Sequence, residues 1–167
     1  MKHGRKHEKA ALKKLFDNIK PRKVYRSGLI TSILVPFLAG TPDAIIIDKY
    51  GNRSVVEVKC PETILSKRRT LDQFNWIVTN ELGKAVAIKE THAYFYQIQF
   101  QIFLAKCDYG YFYVHSPDSL STDQELMILK INRRDDLIWK EMLTLGKTLS
   151  MSNRVVSEIG QFYEDRQ

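Results

Sequence analysis

An aspartate, a glutamate and a lysine stand in apolar, strand-like sequence that ordinarily excludes charge. Asp43 opens the run Asp43-Ala44-Ile45-Ile46-Ile47-Asp48, and Glu57 and Lys59 interrupt the valines of Ser54-Val55-Val56-Glu57-Val58-Lys59. Between the runs, Lys49-Tyr50-Gly51-Asn52 has turn chemistry, because Gly and Asn accept positive φ. The two runs read as a β-hairpin. Residues two apart on a strand project from one face, so Val55, Glu57 and Lys59 share a face and Val56 and Val58 take the other. A turn that pairs Lys49 with Arg53 sets Asp43 opposite Lys59 and diagonal to Glu57, with all three on one face. A one-residue slip would send Asp43 to the other side.

Two neighbouring carboxylates repel unless a positive charge lies between them. A hard cation such as Mg²⁺ suits that position, since it prefers oxygen and is commonly held by one or two carboxylates plus substrate phosphate. Such a site stabilises charge growing on phosphorus and acidifies a water, which is what phosphodiester hydrolysis requires. Lys59, a mobile point charge, is placed to orient that water. The competing reading is a half-exposed hairpin with a Glu–Lys surface pair, and the Glu-x-Lys spacing alone does not decide between them.

Pro42-Asp43, a gap of 13 residues, then Glu57-Val58-Lys59 resembles the PD-(D/E)-x-K signature of restriction-endonuclease-like nucleases. Gly40-Thr41-Pro42-Asp43 followed by Val55-Val56-Glu57-Val58-Lys59-Cys60-Pro61 is similar to the lambda-exonuclease or YqaJ-type viral recombinase branch. Two further segments match that branch: Gly4-x-x-x-Glu8-x-x-Ala11 resembles its first-helix motif, and Tyr94-x-x-Gln97-x-Gln99 its glutamine helix. The resemblance implies an α/β fold with a restriction-endonuclease-like core, a mixed β-sheet flanked by helices, and one or two Mg²⁺ or Mn²⁺ ions. It assigns Asp43, Glu57, Glu8 and the Val58 carbonyl to the metal, Lys59 to the nucleophilic water and Gln97 to a supporting role. It implies DNA as partner, with duplex ends foremost. It leaves room for a single-strand annealing protein and for a homo-oligomer without requiring either. In the family, a segment ahead of the first-helix motif helps to bind the DNA end and its 5′ phosphate. Here that motif starts almost at Met1, so strict 5′-end specificity is not expected.

The charge balance suits a polyanion. The chain carries 26 basic and 19 acidic residues, a net +7, and phosphate contacts favour a basic partner. Basic residues crowd positions 1–23 and recur at Lys67-Arg68-Arg69. Arg5, Lys67, Arg68, Arg69 and Tyr94 are the candidates for contact with nucleic acid, with solvated surface charge as the plainer reading. Two cysteines, Cys60 and Cys107, cannot alone supply a four-ligand zinc or iron–sulfur site and read as free thiols. The N-terminus has no apolar core of a signal peptide, and no stretch approaches the about 20 apolar residues of a membrane span. An intracellular protein is expected.

The 167 residues suit a single nuclease domain, 1–167. Helices are expected over 5–18, 91–106 and from Arg134 onward, broken near Ser150 to Asn153. Further strands are expected at Val24–Arg26, Ile33–Leu38, Tyr109–His115 and Gln124–Ile131. Residues 62–90 read as irregular, with a short helix near Thr70 to Thr79. On the helix over 91–106, Gln97 and Gln101 share a stripe with Tyr94, and Gln101 could face either site or solvent. His92 is expected at its start. The leading functional reading is an exonuclease acting on duplex ends in recombination, repair or viral DNA processing. Its rivals are an endonuclease or single-strand nuclease of the same fold, and a non-catalytic nucleic-acid-binding domain.

Overall fold

The computed structural model describes residues 2–32, 38–62, 73–115 and 127–148; the side chains of 2–6, 143 and 145–148 fall outside that description. In chain order the elements are α1 (Lys2–Ile19), β1 (Lys23–Tyr25), β2 (Ile30–Thr31), β3 (Ala39–Gly40), β4 (Ala44–Ile47), β5 (Arg53–Lys59), β6 (Ile77–Thr79), β7 (Ala85–Ile88), α2 (Ala93–Leu104), β8 (Tyr109–Val114), β9 (Met127–Asn132) and α3 (Asp135–Thr148). The main sheet runs β1-β4-β5-β8-β9. Its one parallel pair is β5 with β8; the others are antiparallel. A parallel pair needs a crossover connection, and α2 lies within it. The mixed sheet flanked by helices is the expected α/β fold.

Helices cover both faces of the sheet, and this decides which strand residues are buried. On one face, Ala11 and Leu15 of α1 pack against Ala44, Ile46, Val56, Val58 and Tyr113. On the other, Phe95, Ile98 and Ile102 of α2 pack against Ile45, Val55, Phe112 and Val114. The alternation expected along β5 is therefore observed. Strand β8 has two core faces, because it lies between β5 and β9 under both helices. Tyr113 is wholly buried. Beyond α2, Ile138, Trp139 and Met142 of α3 pack on Phe100 and Phe103.

Three local expectations need correction or fall outside the description. The hairpin closes at Asp48 and Asn52, not at Lys49 and Arg53: the Asp48 N–H donates to the Asn52 carbonyl at 3.0 Å. The Asp48 carboxylate accepts the backbone N–H groups of Tyr50 and Asn52 at 2.8 and 2.9 Å, and Gly51 supplies φ +94°. These side-chain bonds fix the turn, and Arg53 pairs with Ile47. The register thus differs by two residues, which preserves the faces. The short helix expected near Thr70 to Thr79 is, over its described part, a turn at 73–76 and then β6, which pairs with β7 in a β-hairpin. Asn80 nucleates that turn by accepting the N–H groups of Leu82 and Lys84, and Ile77 and Val78 are β-branched. The strand expected at Ile33–Leu38 lies almost wholly outside the described residues, flanked by the small β2–β3 pair. No helix among the described residues is long and apolar enough to cross a membrane.

Candidate active site

The ladder between β4 and β5 stops at Ala44 and Val56, and the chain just beyond it carries the charges. The Asp43 N–H donates to the Val56 carbonyl at 3.0 Å, and its Oδ2 accepts the backbone N–H of Val58 at 2.7 Å. Asp43 therefore reaches along the end of β5 and is not placed opposite Lys59, as the expected register would have it. Glu57 and Lys59, two apart on β5, point toward α2 and pair directly: Lys59 Nζ lies 2.6 Å from Glu57 Oε1. Gln97, from α2, bonds both of them. Its Nε2 donates to Glu57 Oε1 at 2.7 Å, and its Oε1 accepts from Lys59 Nζ at 3.0 Å. Gln101, one helical turn further, donates to Glu57 Oε2 at 2.8 Å. Glu57 is 4% exposed, and these donors satisfy a charge that burial would otherwise make costly.

The electrostatics reveal a local excess of negative charge. The Asp43 carboxyl is pushed up to about 7, chiefly by burial and then by the charge of Glu57, with Glu8 adding to it. The Val58 N–H and Lys59 pull the other way without compensating. The Cys60 thiol is pushed up to about 11 by burial and by the charges of Asp43 and Glu8. Glu8 thus approaches from α1 within electrostatic reach of Asp43, while Gln97 approaches from α2. Two neighbouring carboxylates, Asp43 and Glu57, under-neutralised by Lys59, fit a divalent cation better than they fit a surface ion pair. Among the described residues no three His, Cys, Asp or Glu side chains form a ready-made metal cage. A carbonyl such as that of Val58, or a substrate phosphate, would have to complete one.

Asp43, Glu57, Lys59 and Gln97 accordingly meet at the end of β5, with Glu8 within electrostatic reach from α1. Tyr94 is near them in a particular way: Lys59 Nζ lies 4.6 Å above its ring. Trp76, His92 and Phe112 pack around the same ring. The half-buried tyrosine forms a floor beneath the lysine. His92 caps α2, its Nδ1 accepting the N–H of Tyr94 at 3.2 Å, as expected of its position. Gln101, for which the sequence allows either site or solvent, turns inward. Its i+4 spacing from Gln97 is the available signal, but only the packing of α2 on β5 selects the face. Arg5 belongs to α1, but its side chain is not described. Lys67, Arg68 and Arg69 lie outside the described residues.

The comparisons with known proteins bear on the family and the fold. A family model of the YqaJ-like viral recombinase domain matches residues 1–108, a span that includes all five residues just named. Among solved structures, the chain is similar to an alkaline exonuclease (LHK-Exo) from Laribacter hongkongensis. The identity is 20% and the TM-score 0.62, covering 99% of this chain and 73% of that one. The structure of LHK-Exo in complex with dAMP matches with the same figures. At that identity the likeness bears on the fold. No curated protein matches the sequence.

Proposed function

Because the chain belongs to the family of YqaJ-like viral recombinase domains, we propose that it is a metal-dependent DNA nuclease, and specifically an exonuclease that degrades duplex from an end. The carrying observation is the meeting of Asp43, Glu57, Lys59 and Gln97 at the end of β5, with the Asp43 carboxyl pushed up to about 7 chiefly by burial and then by the charge of Glu57. The similar solved structure is named an alkaline exonuclease, which supports this substrate class. Residues 1–167 act as one nuclease domain inside the cell, in recombination, repair or viral DNA processing.

The residues divide the work by chemistry. Asp43, Glu57, Glu8 and the Val58 carbonyl would hold one or two Mg²⁺ or Mn²⁺ ions. A bound ion of this kind supplies charge neutralisation at phosphorus and acidification of water. Lys59 orients the attacking water and offsets charge in the transition state, steadied by Tyr94 beneath it and Gln97 beside it. Burial of Glu57 keeps bulk water from competing for its carboxylate. The basic residues of α1, Arg5 among them, and Lys67, Arg68 and Arg69 attract the phosphodiester backbone. A binding module would gain nothing from clustered carboxylates next to phosphates.

The test is digestion of end-labelled linear duplex, covalently closed circular duplex and single strands, each with Mg²⁺, Mn²⁺ or EDTA. Loss of linear duplex from its ends, with the circle intact and EDTA inhibitory, is the expected result. Cleavage of the circle moves the assignment to an endonuclease. Failure to cut any substrate with either metal rejects the enzyme.

A further inference from the structure

Two glutamines two residues apart on α2 are equally buried and differently paired. Gln99 is 1% exposed and Gln101 3%. Gln99 uses both ends of its amide: Nε2 donates to the Asn132 carbonyl at 2.8 Å, and Oε1 accepts the Arg134 N–H at 2.9 Å. It ties α2 to β9 and to the start of α3. Gln101 uses only one end. Its Nε2 donates to Glu57 Oε2 at 2.8 Å and reaches toward the Thr41 carbonyl at 3.5 Å. Its Oε1 has no hydrogen-bond partner among the described residues. Flipping the amide would not help, because Oε1 would then face the carboxylate oxygen, acceptor against acceptor.

A buried acceptor without a donor costs free energy, so stability does not account for Gln101 as it does for Gln99. What Gln101 does is specific. Glu57 Oε1 is shared by Lys59 and Gln97, whereas Gln101 is the donor on Oε2. It therefore sets the rotation of the carboxylate and leaves Lys59 on the other oxygen. The close approach this needs is built in at Gly40. A Cβ there would come within 3.2 Å of Leu104 Cδ1, which would have to give by a few tenths of an ångström, and 3.6 Å of Gln101 Cγ, an ordinary contact.

We infer that Gln101 is a positioning residue of the hydrolytic centre, orienting Glu57 for metal and substrate. This rests on the reading of Glu57 as a metal-binding carboxylate. Gln101→Met keeps the length and apolar stem while removing the donor; Gln101→Asn keeps an amide too short to reach. Each is compared with wild type and Gln99→Met in three measurements: unfolding temperature in EDTA, free Mn²⁺ by electron paramagnetic resonance without DNA, and kcat and KM on linear duplex. For the Gln101 variants, kcat and Mn²⁺ affinity should fall about 10–100-fold, as for partners that orient metal ligands. Their KM for DNA and unfolding temperature should hold. Gln99→Met should do the reverse, lowering the unfolding temperature and sparing kcat. Wild-type kcat and Mn²⁺ affinity in either folded Gln101 variant overturns the inference, as does failure of both to fold. A wild type that neither binds Mn²⁺ nor cleaves DNA overturns the hydrolytic reading beneath it instead.

Discussion

The Asp43 carboxylate accepts the Val58 N–H at 2.7 Å across the β4–β5 hairpin, yet its carboxyl is held up at about 7. A backbone N–H normally favours the charged form; here burial and the charges of Glu57 and Glu8 outweigh it. This imbalance has a consequence for stability. The folded pKa lies above the ordinary value of 3.8, so the folded state holds the proton that the unfolded state has lost. The metal-free protein should therefore lose stability as pH rises from about 4 through 7. Asp43→Asn should flatten that slope and raise the unfolding temperature at pH 8 in EDTA. Adding Mg²⁺ should stabilise the wild type at pH 8 more than the variant. Thermal unfolding across pH, with and without Mg²⁺, tests all three; equal slopes for the two proteins would contradict the charge balance described.

Lys59 is expected to matter for rate more than for metal. Its ammonium lies on Glu57 Oε1, Gln97 Oε1 and the Tyr94 ring. Lys59→Met should lower kcat by about 10²–10³, the usual loss for one transition-state interaction, while Mn²⁺ affinity is retained or tightened. Glu57→Ala should abolish both cleavage and tight metal binding, with DNA binding intact or improved. Single-turnover cleavage paired with Mn²⁺ titration separates the two roles.

Gly110 is a stability position with no chemistry attached. A Cβ there would meet Val55 Cγ2 at 2.8 Å, Ile98 Cδ1 at 3.0 Å and Ile102 Cγ1 at 3.1 Å. Those neighbours are wholly buried and pin α2 to β5 and β8. Gly110→Ala should destabilise by about 1–3 kcal/mol, the typical cost of overpacking, measurable by denaturant unfolding. An unchanged midpoint would mean that α2 can shift outward without penalty.

Affinity for DNA should fall steeply with salt if the basic residues bind phosphates. Replacing Arg68 and Arg69 with Ala should weaken binding to every sequence alike and reduce the slope of log K against log salt by about 1 for each arginine removed. Fluorescence anisotropy with catalytically inactive Glu57→Ala protein gives the slope directly. An unaltered slope assigns those arginines to solvated surface.

The sequence by itself determined the parts that depend on local periodicity and residue type. Alternation along Ser54–Lys59 assigned Val56 and Val58 to one face and Val55, Glu57 and Lys59 to the other, and a two-residue error of register left those faces intact. Helical spacing placed Gln97 and Gln101 on one stripe, and the Asp43, Glu57 and Lys59 set stood out because charge in an apolar strand needs a reason. Tertiary structure decided what periodicity cannot carry. Asp48 and Asn52 closed the hairpin through side-chain bonds, which moved Asp43 from Lys59 to the Val58 N–H. Asn80 turned the stretch read as irregular into the β6–β7 hairpin. Burial of β8 on both faces followed from its place between β5 and β9, and the inward choice of Gln101 followed from how α2 lies across β5. The two turns are set by side-chain bonds within four residues that periodicity does not record, and the burial of β8 and the choice of Gln101 are set by residues far apart in the chain. Their energies depend on which surfaces meet, and a one-dimensional pattern records only which surfaces are available.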